Sequence, residues 1–125
     1  MKNVILIAVA GAAGTLSRYG LSTLVSSILG SDFPWGTFIV NIVGCFLFGL
    51  IWSLEEHHLA LGPQTRVIIL TGFMGAFTTF STFIFENNQL LSTSQWIHLS
   101  ANLVLQILIG LAALAVGIHA ARLVL

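Results

Sequence analysis

The chain has 125 residues, 57% hydrophobic and 6% charged, with four Lys+Arg balancing four Asp+Glu. Soluble domains carry about 25% charged residues, and so short a soluble chain cannot hide this much apolar surface from water. Zero formal net charge leaves no basic patch for nucleic acid, and Cys45, the only cysteine, can make neither an internal disulfide nor a metal cage and reads as a small packing residue.

A helix that crosses a bilayer needs roughly 20 largely apolar residues. The first window of that kind runs from about Val4 to Leu29 and contains Arg18. Lys2, an apolar run and small residues also fit a cleavable signal peptide, which would leave three spans. The apolar character continues past Gly14, however, which favours a span. The second window runs from about Trp35 to Leu54, the third from about Arg66 to Phe85 and the fourth from about Trp96 to Val124. The connections at residues 30–34, 55–64 and 86–95 are too short for a soluble domain. The expectation is a single all-α integral membrane domain of four transmembrane helices over residues 1–125.

Trp35, Trp52 and Trp96 fall near the expected helix ends, where indole rings favour the headgroup zone. Pro34 and Pro63 lie just before helices, where proline is tolerated. Four spans put both termini and the middle loop on one side, with Lys2, Arg66 and Arg122 set against Glu55 and Glu56. Counting basic residues places that side in the cytoplasm, with a weak bias. Small residues four apart, such as Gly72 and Ala76 or Ala113 and Gly117, allow close helix approach. His57 and His58 are adjacent and so face different ways, and His98 and His119 are distant in sequence. All four read as loop or interfacial residues rather than metal ligands.

Polar groups within a bilayer are costly, so they mark where function is to be sought. Arg18 reads either as a snorkelling or helix-pairing residue, or as a positive charge at the mouth of an anion path. Asn41, early in the second span, reads either as an interhelical hydrogen bond or as a donor to a passing ion. The third span stands apart. Gly72 and Gly75 weaken its helix, and Thr78, Thr79, Ser81 and Thr82 then crowd hydroxyls together. Phe77, Phe80 and Phe83 recur every three residues on one face, with Thr79, Thr82 and then Glu86 on the adjoining one. Hydroxyls bonding back to their own helix, beside core phenylalanines, would be the bland account. A broken helix whose freed groups line a cavity or bind a cation is the other. A wall of O–H and N–H donors and positive ring edges, without fixed charge, suits a weakly held anion that must also leave.

These residues resemble the Fluc (CrcB) family of fluoride channels. The likeness lies in the Gly11–Tyr19 run, in Gly36-Thr37-Phe38 with Asn41, Gly44 and Gly49, and in Gly72-Phe73-Met74-Gly75 followed by Thr78-Thr79-Phe80-Ser81-Thr82-Phe83. It implies a passive, fluoride-selective channel that exports toxic fluoride across the bacterial inner (plasma) membrane. It implies an antiparallel, dual-topology homodimer with two pores at the subunit interface. On the same basis, the edges of Phe80 and Phe83 meet the ion, Asn41 donates to it, and Thr79, Ser81 and Thr82 form a polar track. Arg18 lies toward the vestibule and Glu86 at an end of the track. A structural sodium ion at the dimer centre would be held by backbone carbonyls of Gly75 and Thr78. The polar residues Ser100, Asn102 and Gln106 of the fourth span receive no role. The expected partners are membrane lipid and a second copy of the chain. No nucleotide motif is present. A small dimeric multidrug transporter would need a membrane-embedded carboxylate, whereas Asp32, Glu55, Glu56 and Glu86 fall at expected span ends or in loops. A non-transporting membrane subunit is the remaining alternative, and an enzyme is not expected.

Overall fold

The computed structural model describes residues 1–56 and 61–123, and every regular element among them is helical. Helix α1 spans Lys2–Leu29, α2 Trp35–Leu54, α3 Pro63–Arg66, a π-helical segment Val67–Met74, α4 Gly75–Phe77, α5 Phe80–Ser92 and α6 Trp96–Leu123. Pro63–Ser92 forms one crossing, so four segments are long and apolar enough to span a membrane. The all-helical, four-span architecture and the broken third helix are those expected from the sequence. The readings of His57 and His58 lie outside the described residues.

The chain leaves helical geometry at Thr78 (φ −81°, ψ 156°) and Thr79 (φ −147°, ψ 116°). The glycines expected to open the helix do not do so themselves: Gly72 lies in the π-helical segment, and Gly75 begins α4. The two β-branched threonines are the extended residues, a conformation their side chains favour. The break also divides the phenylalanines. Phe77 belongs to the first half, is buried, and stacks on Phe73 with centroids 5.9 Å apart. Phe80 opens the second half and is 73% exposed. The expected single stripe is therefore two separate faces.

Beyond the break, α5 runs about two turns past the apolar window that ends at Phe85. Glu86, Asn87 and Gln89 lower the hydropathy there without ending the helix. Asn87 and Leu90 are buried, and Asn102 of α6 donates to Asn87 Oδ1 at 3.0 Å. Glu86 thus lies inside a helix rather than at a span end. The chain then reverses at Ser94, whose φ of 57° is left-handed, with Gln95 N–H donating to Leu90 C=O at 2.9 Å. That bond closes the end of α5 as a helix C-cap does.

Helices α2 and α6 pack most tightly, because a Cβ on Gly117 would collide with the Phe46 carbonyl. Small residues here serve close backbone approach, as in membrane bundles. The core gathers Val40, Leu70, Met74 and Phe77, while Leu16, Ile107, Leu108 and Leu111 stay exposed. Lipid rather than water suits that outer surface. Arg66 joins α3 to α2: its Nε lies 3.2 Å from Glu55 Oε2, and its guanidinium sits 4.0 Å above the Trp52 ring.

Candidate functional site: the break in the third span

A helix break strands backbone N–H and C=O groups that have no intrahelical partner. Here the second half is capped from within, since Thr79 Oγ1 accepts from Thr82 N–H at 3.4 Å and donates to Thr82 Oγ1 at 3.0 Å. Asn41 of α2 pairs with the Thr79 peptide on both sides. Its Oδ1 accepts from Thr79 N–H at 2.8 Å, and its Nδ2 donates back to Thr79 C=O at 3.1 Å. The amide pairs with an exposed peptide much as a neighbouring strand would. Close approach here requires Gly44, one turn below Asn41, because a Cβ there would collide with the Thr78 side chain.

Asn41 reaches further. Its Nδ2 also donates to Gln106 Oε1 at 2.7 Å, and Gln106 Nε2 donates to Asn102 Oδ1 at 3.2 Å. Asn102 donates to Asn87, and Asn87 Nδ2 donates to the Phe83 carbonyl at 2.8 Å. Asn87, Asn102 and Gln106 are all buried. The fourth-span residues left without a role therefore belong to the site, except Ser100, which is exposed. The sequence does carry signals for them: Asn102 and Gln106 are four apart, as are Phe83 and Asn87, which places each pair on one helix face. Nothing local, however, reveals that the two faces meet.

Three cavities follow one another along the third span. One of about 430 Å³ lies under residues 30–34 and the end of α5, with Asp32, Glu86 and Gln89 in its wall. Thr37 of α2 donates to Glu86 Oε1 at 2.6 Å and also lines a second cavity of about 290 Å³, with Arg18, Ser22, Thr79 and Thr82. Thr79 in turn lines a third of about 260 Å³ with Asn41, Phe48 and Phe80. Glu86, Thr37, Thr82, Thr79 and Asn41 therefore make a continuous row of oxygen and nitrogen groups beside the break.

The sequence-selected residues divide accordingly. Arg18, Asn41, Thr79, Thr82 and Phe80 line these cavities. Phe83 is buried behind Phe80, the ring centroids 5.9 Å apart and the planes tilted by 47°. Ser81 is exposed and lines none of the three. Gly75 is exposed and Thr78 half-buried on the first side of the break. Arg18 has no acidic partner, the only ion pair among the described residues being Glu55 with Arg66. Thr37, Glu86 and Asn87 complete the row and its backing.

Such a site has donors, ring edges, one nearby cation at Arg18 and a carboxylate, Glu86, at its far end. It has no nucleophile–base pair, and no cluster of His, Cys, Asp and Glu fit to hold a metal exists among the described residues. Residues 5–118 match the family described as CrcB-like protein, Camphor Resistance (CrcB). The chain is 57% identical over 118 residues to a "Fluoride-specific ion channel FluC" of Solidesulfovibrio magneticus, covering 94% of each. It is 55% identical over 111 residues to one of Nitrosococcus oceani, covering 89% of each. A third, from Nitratidesulfovibrio vulgaris strain Miyazaki F, is 49% identical over 124 residues, covering 99% of this chain and 100% of the relative.

Proposed function

This chain belongs to the CrcB-like protein family, and from that premise we propose that it is a fluoride-selective passive channel that exports fluoride and protects the cell from its toxicity. The family is one of ion channels, not enzymes, and the chain is a multi-pass integral protein of the bacterial inner membrane. The observation that carries the reading is the run of uncharged donors at the helix break, Asn41, Thr79 and Thr82, with the Glu86 carboxylate only at the far end of the row.

Fluoride is small and holds its water tightly, so a path must replace that shell with donors at every step. Arg18 draws anions toward the cavity it shares with Thr37 and Thr82. The hydroxyls of Thr82 and Thr79 then replace water, with Ser81 serving the same track from its exposed side. Asn41 has two N–H groups, both bonded within the subunit. The one on Thr79 C=O, at 3.1 Å, is the longer bond and the one an arriving anion displaces. The edges of Phe80 and Phe83 complete the shell with their positive rims. No fixed charge sits at Asn41, so the ion leaves as readily as it enters.

The working unit in this reading is an antiparallel homodimer. The exposed ring of Phe80 and the open cavity beside it would face a second copy, closing each path between subunits. At the break, the carbonyls of Gly75 and Thr78 lose the helical partners they would have had four residues on. Backbone oxygens of this kind suit a hard cation such as sodium. Bound there, the ion would neutralise converging carbonyl dipoles and stabilise the pairing of the two copies.

Growth provides the test. A bacterial strain lacking its own fluoride exporter should tolerate more fluoride when it expresses this chain than when it does not. Expression without any gain in fluoride tolerance would count against an export role.

A further inference from the structure

We propose that Asn87, Asn102 and Gln106 are positioning residues that hold the Asn41 amide in a single orientation at the break. The inference rests on the fluoride reading for its consequence, though not for its geometry.

The four amides lie in series, and both ends of the series are backbone groups of fixed polarity. Thr79 N–H can only donate, so the oxygen of Asn41 must face it. The Phe83 carbonyl can only accept, so the nitrogen of Asn87 must face that end. Between them, Asn41 donates to Gln106, Gln106 to Asn102 and Asn102 to Asn87, with every bond pointing the same way. Turning over Asn87, Asn102 or Gln106 would set N–H against N–H or oxygen against oxygen at two places, and turning over Asn41 would do so at three. At Asn87, Asn102 and Gln106, which are buried, no water is at hand to relieve such a mismatch.

The consequence falls on Asn41. An isolated asparagine presents either its oxygen or its nitrogen to a neighbouring cavity at similar cost, and an oxygen facing the path would repel an anion. The Thr79 peptide opposes that state from one side, and the series adds the shorter bond to Gln106 that locks the same orientation from the other. The series also begins and ends on the third span, at Thr79 and at Phe83, passing through α2 and α6 on the way. Aliphatic residues at Asn87, Asn102 and Gln106 would fill the same space without that constraint, and packing alone does not call for amides.

The experiment uses the full-length protein purified in detergent, with two readouts. The first is hydrogen exchange at Thr79 N–H, followed by NMR. The second is fluoride efflux from liposomes. Asn102→Leu cuts the series at its centre, and Thr79 exchange should speed up about tenfold while efflux falls about tenfold, the size expected for one lost buried hydrogen bond. In an Asn41→Leu background, adding Asn102→Leu should change efflux by less than about twofold, because the series acts only through Asn41. Gln106→Met, which keeps the side-chain length, gives the same comparison if Asn102→Leu does not fold. Unchanged Thr79 exchange in a variant that elutes like the wild type would overturn the proposal, as would fully additive efflux losses. A wild-type chain that passes no fluoride would end the fluoride reading, while Thr79 exchange would still decide the amide series.

Discussion

Thr37 and Asn41 lie one turn apart on α2 and present two kinds of donor to the third span. Thr37 bonds the carboxylate of Glu86, and Asn41 bonds the peptide of Thr79. Phe80 sits across the same cavity from Asn41 and is largely exposed, so it can be changed without opening the core. Phe80→Ile should therefore leave folding intact and reduce fluoride flux at least about tenfold, a barrier increase of about 1.4 kcal/mol. Unchanged flux in liposomes would remove the ring edge from the mechanism. Sequence made Asn41, Thr79 and Phe80 conspicuous because polar groups and clustered hydroxyls are out of place in an apolar span. It left Gln106 unassigned because Asn41 and Gln106 meet across 65 positions of sequence, and periodicity describes only neighbours on one helix.

At the scale of elements, the break was legible from glycines and hydroxyls, while its place was not. The extended residues are Thr78 and Thr79, held there by a partner on α2 that no local rule names. The length of α5 was misjudged for a related reason. Glu86, Asn87 and Gln89 read as a polar loop, yet the buried Asn87–Asn102 bond carries the helix onward. The turn that follows offers a stability test. Ser94 has a φ of 57°, where a side chain is strained and glycine is not. Ser94→Gly should raise stability by about 1 kcal/mol, the cost of a left-handed L-residue, without altering flux. Thermal denaturation in detergent measures the first and efflux the second, and a lower midpoint would mean that the serine contributes something the turn geometry does not reveal.

For the whole molecule, the described residues leave a broad apolar surface and one polar row that opens outward beside Phe80. Four spans were readable from the four apolar windows of the sequence, and the structure has four helical segments of that length and hydropathy. What the spans enclose was not, because it depends on which helix faces meet. Conduction is the property on which every other element of the reading depends. Purified protein in potassium fluoride–loaded liposomes, with a potassium ionophore and an outward gradient, should release fluoride rapidly and retain chloride in a parallel chloride-loaded preparation. Equal release of the two anions, or none of either, would contradict a fluoride-selective path at the break.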